Sequence, residues 1–155
     1  LGDGTFIPLH APARVSSTLV RDELMKEESV QDAVKLMNRI DVALVGIGYP
    51  NEHSAIKATG YYKENEIESL ISRKAAGELC MQFYDMEGRT EPYVSDNAVI
   101  GMDIQRLRKV PCSVSIAGGR EKLAAIQGAI NGKYINVLIT DTECARALLS
   151  DEEEE

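Results

Sequence analysis

The sequence predicts an α/β fold built on a doubly wound, mostly parallel sheet. Short apolar runs bounded by turn residues have the composition of strands in such a sheet, and they span residues 41–48, 112–117 and 136–140. Segments with helical periodicity separate these runs, and this alternation favours parallel strands joined by crossovers. A chain of 155 residues, 44% of them apolar, is long enough for one domain with an ordinary core.

The amino-terminal part is predicted to hold a short extended patch, residues 6–9, followed by two helices. Ser16 or Ser17 can cap a helix that runs to about Met25. Ser29 and Asp32 then resemble a capping box, with Asp in place of the usual Glu or Gln. The following helix has one apolar face. That face consists of Val30, Ala33, Val34, Met37 and Ile40.

The middle of the chain begins with the run 41–48, which is expected to be a buried parallel strand. A polar loop leads from it to a helix predicted from about Glu64 to Arg73. The segment 77–84 fits either a strand or a helix, and residues 85–88 mark a turn. Ile104 and Leu107 then indicate a short helix before the next strand.

The carboxyl-terminal part reads as strand, helix, strand and helix. The strands 112–117 and 136–140 enclose a helix predicted from about Arg120 to Asn131. Asp141 or Thr142 is expected to cap the last helix, although Thr140 and Asp141 can also orient the loop around Lys122. This domain fills residues 1–150, and the acidic tail 151–155 is expected to be solvated.

Composition excludes several function classes. The net charge is −8 and there is no cluster of five basic residues, which disfavours direct binding of nucleic acid by this chain. The apolar runs are too short to span a membrane, and no signal-peptide pattern opens the sequence, so we expect a cytoplasmic protein. The three cysteines are widely separated in apolar surroundings, and we expect reduced core thiols, with no metal or cofactor. They are Cys80, Cys112 and Cys144.

The strongest candidate for a binding site lies where the strand 112–117 ends. Gly118 and Gly119 allow the backbone to come close to a ligand, and Lys122 follows in the first turn of the next helix. Exposed amides at a helix start, together with an ammonium group, suit an anion such as a phosphate. The carboxyl ends of strands are where open α/β sheets bind their ligands. The alternative is a solvated surface lysine.

Further candidates flank this site. Gly46 and Gly48 end the run 41–48, where they permit either a ligand or a tight turn. Lys57, in the loop that follows, can reach a second phosphate, whereas His53 has no nucleophile motif nearby and is not expected to be a catalytic base. Asp85 is a weaker candidate, because an Asp before a turn glycine is ordinary turn chemistry.

Five segments in a fixed order carry a family resemblance. They are DVALVGIG (41–48), GELCMQFYDMEG (77–88), IGM (100–102), AGGREKLAAI (117–126) and LITDTECARALL (138–149). In this order they resemble the sugar-binding effector domain of SorC-type (SorC/DeoR) bacterial transcriptional regulators. The resemblance implies a Rossmann-like fold, similar to sugar-phosphate isomerases and deaminases, that is incomplete at its amino terminus. It also implies that Glu78 accepts hydrogen bonds from sugar hydroxyls, and the alternative is a helix-cap or surface carboxylate.

The resemblance implies a function as well. The expected role is an effector domain that senses a phosphorylated sugar or related metabolite, forms a homodimer or homotetramer, and controls DNA binding by a helix-turn-helix domain absent from this sequence. No paired acid and base stand at defined spacing, and the expected protein is not an enzyme. The alternatives are a sugar-phosphate isomerase or deaminase of the same fold, and an oligomerisation fragment without a ligand.

Overall fold

The computed structural model describes residues 3–51, 57, 59–96 and 98–150. In chain order its regular elements are α1 (Thr18–Leu24), α2 (Glu28–Met37), β1 (Val42–Val45), α3 (Glu64–Ser72), β2 (Gly77–Leu79), β3 (Gln82–Tyr84), β4 (Cys112–Ile116), α4 (Leu123–Asn131), β5 (Val137–Ile139) and α5 (Thr142–Ser150). Short 3-10 helices span Glu91–Asp96, Ile104–Lys109 and Arg120–Lys122. The acidic tail lies outside the described residues.

A parallel sheet in the order β1-β4-β5 forms the centre of the domain, which confirms the α/β class. Val45 of β1 is in register with Ser115 of β4, and Ser115 in turn with Leu138 of β5. Because β4 and β5 are parallel neighbours, the chain must cross over between them, and α4 makes that crossover. The carboxyl ends of the three strands therefore meet at one edge of the sheet.

The core lies between one face of this sheet, the helix α4 and the β2-β3 hairpin. Its buried members from the sheet and its ends are Ala43, Ile47, Ala117 and Ile135, and those from the covering elements include Leu79, Tyr84, Ala125, Ile126 and Ala129. The Tyr84 hydroxyl donates to the carbonyl of Ala125 at 2.9 Å, so the hairpin is tied to the start of α4.

The opposite face of the sheet is exposed. Five large aliphatic side chains on this face have between 41% and 72% of their surface in solvent. They are Val42, Leu44, Ile116, Val137 and Ile139. The apolar run 41–48 predicts a strand buried on both faces, whereas β1 buries only the side that carries Ala43 and Ile47. The reason is that the described residues supply a covering layer for one face only.

The segment 77–84, which fitted strand or helix, is a β-hairpin. Its strands β2 and β3 are antiparallel, with Glu78 opposite Phe83. Cys80 and Met81 make the turn, both with positive φ angles of 53° and 60°. Two-residue hairpin turns of this kind are usually marked by Asn or Gly. The sequence lacks that signal, and this is why it left the element open.

Helix starts agree with the sequence at α1 but not at α2. Ser17 caps α1 by accepting a hydrogen bond from the Val20 amide, as predicted. The predicted capping box of Ser29 and Asp32 is wrong, because α2 already begins at Glu28. The Asp32 carboxylate instead pairs with Lys35 on the exposed side of the helix, at 2.9 Å.

Two further sequence predictions concern the burial of the cysteines and the absence of a membrane-spanning helix. Cys144 is buried, Cys80 and Cys112 are half-buried, and all three thiols are free. None of the helices within the described ranges combines the length and the apolar character needed to cross a membrane.

Candidate ligand-binding site

Lys122 lies at the sheet edge where the strands end. It closes the 3-10 turn Arg120–Lys122 that precedes α4, and its side chain is half-buried. Its Nζ donates to the carbonyl oxygen of Ile47 at 3.0 Å, although the two residues are 75 positions apart. Lys122 therefore extends over the end of β1, which argues against the alternative of a solvated surface lysine.

Glu78 is brought to the same place by the hairpin. Gly48 and Glu78 form an isolated antiparallel bridge through two backbone hydrogen bonds, at 2.9 Å and 2.8 Å. The bridge joins β2 to the segment that follows β1. The Glu78 carboxylate accepts a hydrogen bond from the Met81 amide through Oε1. Its Oε2 occupies the space that a Cβ at position 48 would need.

The pKa of Glu78 is raised, chiefly because burial disfavours its charged form. The hydrogen bond from the Met81 amide and the positive charge of Lys122 act in the opposite direction and stabilise the carboxylate. Glu78 and Lys122 are thus close enough to interact electrostatically. The structure brings together an ammonium group and a carboxylate from segments that are 44 residues apart in sequence.

The sequence predicts that the amides of the Gly118–Gly119 turn are available to a ligand, whereas in the structure the Gly119 amide is already hydrogen-bonded. The Gly119 amide donates to Oδ2 of Asp141 at 2.7 Å, and a Cβ at Gly118 would overlap that same oxygen. Gly119 has a φ of 99°, which favours glycine. Oδ1 of Asp141 accepts from the Cys144 amide at 2.9 Å, which confirms Asp141 as the cap of α5.

A shallow cleft of about 260 Å³ lies at the carboxyl ends of β4 and β5. Lys122 lines it, whereas Glu78 and Gly48 lie outside its lining. Its polar lining comes from Gly118, Lys122, Thr140 and Asp141, and Ile116 and Ile139 supply apolar walls. The Thr140 hydroxyl oxygen is buried and has no hydrogen-bond partner among the described residues. A hydroxyl without a partner in a cleft wall is a candidate ligand contact that sequence patterns did not single out.

The other predicted site residues are placed differently. Gly46 lies at the same strand end as Gly48, but it is exposed and a Cβ there would meet nothing within 4 Å. Lys57 pairs with Glu64, at the start of α3, with its Nζ 2.8 Å from the Glu64 carboxylate. It lines a small cavity beside α3 rather than the cleft that contains Lys122. His53 lies outside the described residues.

Asp85 stabilises the turn in which it lies. Its Oδ1 accepts from the amides of Glu87 and Arg89, at 3.1 Å and 2.8 Å, and its Oδ2 accepts from the Arg89 side chain at 2.8 Å. Burial opposes ionisation of this carboxyl, but the hydrogen bonds from Arg89 prevail and its pKa is lowered. The backbone of Asp85 abuts Gly128, late in α4, whereas Lys122 precedes that helix. The structure therefore does not bring Asp85 and Lys122 together.

A protein-family model describing a sugar-binding domain, Sugar-bind, matches residues 3–150. The chain belongs to this family of sugar-binding domains. The match spans the parallel sheet, the hairpin and the cleft, and all five segments quoted above lie within it.

Curated relatives of this sugar-binding domain are transcriptional regulators. The chain is 33% identical over 138 residues to the sorbitol operon regulator of Klebsiella pneumoniae, a match that covers 89% of this chain and 44% of that protein. It is 31% identical over 146 residues to the deoxyribonucleoside regulator of Bacillus subtilis, covering 94% and 46%. The chain thus spans about half the length of these relatives.

Solved structures give the same result for the fold. The full-length sorbitol operon regulator SorC of Klebsiella pneumoniae superposes with a TM-score of 0.81 at 33% identity, covering 89% of this chain and 45% of that one. A DeoR family regulator of Listeria monocytogenes superposes with a TM-score of 0.83 at 28% identity, covering 89% and 56%. The sugar-binding domain therefore shares its fold with SorC/DeoR regulators.

Proposed function

We propose that this domain senses a phosphorylated sugar or a related metabolite for a bacterial transcriptional regulator of carbohydrate metabolism. The observation that carries the proposal is the convergence of Lys122, from the turn before α4, with the Gly48–Glu78 bridge at the end of β1. This convergence lies at the edge of a parallel sheet where α/β proteins bind ligands.

The donors and acceptors at this edge suit a sugar. An ammonium group has three N–H donors, and Lys122 gives one of them to Ile47. The other two have no acceptor among the described residues and are available to a phosphate or hydroxyl oxygen. We propose that two further groups accept from sugar hydroxyls: the Glu78 carboxylate, which interacts electrostatically with Lys122, and the Thr140 hydroxyl in the wall of the cleft. Gly118 borders the cleft and places no side chain in it.

Sensing without catalysis is the role we propose for the site. General base catalysis needs a carboxylate aimed at a substrate proton. The Glu78 carboxylate instead accepts the Met81 amide and lies against Gly48, an arrangement that suits a fixed hydrogen-bond acceptor. The relatives carry names of regulators, which favours the same conclusion.

Occupancy of the site would be passed on by a population shift. A sugar that binds one arrangement of subunits more tightly than another favours that arrangement, and the spacing of attached DNA-binding domains changes with it. We propose a cytoplasmic homodimer or homotetramer in which DNA is read by a helix-turn-helix domain elsewhere in the longer protein.

The proposal is tested by calorimetric titration of the chain with glucose 6-phosphate, ribose 5-phosphate, the two unphosphorylated sugars and inorganic phosphate. We expect saturable binding of at least one sugar, and Lys122→Ala should weaken it by about 1.5–3 kcal/mol, the contribution of a hydrogen bond to a charged group. The matched control is Lys109→Ala, at an exposed position before β4 and hence at the other end of that strand.

The proposal is contradicted if no sugar of the panel binds, and two further outcomes also count against it. Equal sugar affinity in Lys122→Ala and Lys109→Ala would show that Lys122 does not contact the ligand. Proton NMR of the mixture of protein and sugar phosphate detects any conversion of the sugar. Such conversion would favour the isomerase or deaminase alternative over sensing.

A further inference from the structure

Asp141 uses both oxygens of one carboxylate to hold two different segments. Oδ1 accepts from the Cys144 amide inside α5, and Oδ2 accepts from the Gly119 amide, 22 residues earlier in the chain. The close approach to the turn depends on Gly118, because a Cβ at that position would overlap Oδ2. The carboxylate therefore joins the start of α5 to the turn that follows β4.

This turn leads directly to Lys122. The Lys122 amide donates to the carbonyl of Gly119 at 2.9 Å, and the Lys122 ammonium donates to the carbonyl of Ile47 at 3.0 Å. Asp141 is thus two hydrogen bonds from the backbone of Lys122, through Gly119. Fixing the Gly119 peptide fixes the first turn from which the Lys122 side chain extends over the end of β1.

We propose that Asp141 is a positioning residue of the sugar site, holding the Gly118–Gly119 turn so that the Lys122 ammonium is set in place before a ligand arrives. This inference rests on the proposed function. Preorganisation of this kind raises affinity because the turn loses little freedom when the ligand binds.

The role of a helix cap does not account for this arrangement. A cap needs one side-chain oxygen, and serine supplies it about as well as aspartate does. The second oxygen of Asp141 goes to a turn outside α5. The hydrogen bonds from the amides of Cys144 and Gly119 also lower the pKa of Asp141, so the carboxylate is ionised at neutral pH and accepts at both oxygens.

The variant Asp141→Ser separates the two roles, because a serine hydroxyl can cap α5 but is too short to reach Gly119 as well. Amide hydrogen exchange followed by NMR should show unchanged protection of the Cys144 amide and exchange of the Gly119 amide at least about tenfold faster. Affinity for the panel sugar that binds the native chain should fall about tenfold, the effect of one lost hydrogen bond. Asp141→Asn, which retains one acceptor oxygen, serves in the same measurements if Asp141→Ser does not fold.

The control for capping is Asp103→Ser. Asp103 caps the 3-10 helix Ile104–Lys109 by accepting from the Gln105 amide at 2.9 Å, and it has no contact with the Gly118–Gly119 turn. We expect no change in sugar affinity from this substitution. A general loss of stability would affect both variants, whereas positioning affects only Asp141→Ser.

A double variant tests whether Asp141 acts through Lys122. Adding Asp141→Ser to Lys122→Ala should cause no further loss of affinity, because the group being positioned is already gone. Full additivity of the two losses, or unchanged affinity in Asp141→Ser, would overturn the positioning role while leaving the sugar site intact. Failure of the native chain to bind any sugar of the panel would overturn both this role and the proposed function.

Discussion

Gly48 and Glu78 are bound to each other through both backbone hydrogen bonds of an antiparallel bridge, and the Glu78 carboxylate fills the space beside the Gly48 Cα. This relationship gives Gly48 a structural role different from the two that the sequence suggested, a ligand contact or a tight turn. A side chain at position 48 would require the Glu78 carboxylate to move, because a Cβ there would overlap its Oε2. Gly46, two residues earlier, has nothing within 4 Å of a Cβ position and no comparable requirement.

Substitution of Gly48 by alanine should therefore move Glu78. The new methyl group would overlap Oε2, and the carboxylate must swing away from both Gly48 and the Met81 amide. We expect loss of sugar affinity of about 1 kcal/mol or more, since an acceptor for the ligand is displaced. Gly46→Ala is the matched control and should leave affinity unchanged. Isothermal titration of the two variants checks this, and equal affinities would show that Glu78 does not contact the sugar.

Glu78 should also give the domain a measurable pH dependence. Burial raises its folded-state pKa, so between the ordinary glutamate pKa and the raised value the folded state binds more protons than the unfolded state. The free energy of unfolding contributed by Glu78 therefore falls as pH rises through that window. Glu78→Gln, which stays neutral, should unfold at a higher temperature than the native chain above the window and lose its advantage below it.

Thermal melts of both proteins from pH 4 to pH 8 measure this difference. Glu68→Gln, at an exposed position of α3, is the control and should show no such trend. A native chain whose stability relative to Glu78→Gln rises with pH would mean that the carboxylate is better stabilised in the folded state than in water.

Asp85 should matter for stability and not for the ligand. Asp85→Ala leaves the amides of Glu87 and Arg89 without their acceptor, and we expect the free energy of unfolding to fall by about 1–3 kcal/mol. Because its pKa is lowered, the contribution is present above the ordinary Asp pKa and is lost as pH falls through the lowered value. Chemical denaturation at pH 7 and pH 3 measures both effects.

Asp32→Ala is the control for Asp85→Ala, since Asp32 makes only an exposed pair with Lys35 and should cost about 0.5 kcal/mol or less. Sugar affinity should be the same in both variants. Weakened sugar binding by a folded Asp85→Ala protein would show that Asp85 contributes to the ligand site.

Sequence patterns predicted the elements whose signals are local. The strands β1, β4 and β5 are short apolar runs between turn residues, and the Ser17 cap of α1 depends on a contact three residues away. Lys122 was identified because a glycine pair and a lysine after a strand are a local pattern. Such features need no knowledge of the tertiary structure.

Two of the features that the sequence did not predict depend on contacts between distant segments. The Gly119 amide is taken by Asp141 from 22 positions away, and the meeting of Gly48 with Glu78 requires a hairpin whose turn residues, Cys80 and Met81, carry no turn signature. Asp85 and Lys57 are also predicted as site residues, but each forms an ion pair with a residue close to it in sequence, Arg89 and Glu64, and a sequence pattern does not show that these pairs form.

The exposed aliphatic face of the parallel sheet leads to the last prediction. Parallel sheets are normally covered on both faces, and contiguous exposed aliphatic side chains promote association. Leu44→Thr should change the free energy of unfolding by about 0.5 kcal/mol or less, since Leu44 is already 72% exposed. Compared with the native chain, Leu44→Thr should bind less of a fluorescent hydrophobic probe and scatter less light at high protein concentration. Ile126→Thr, a fully buried control on α4, should cost about 2–4 kcal/mol. A comparable cost for Leu44→Thr would mean that this face is buried in solution, against the exposure that the structure gives it.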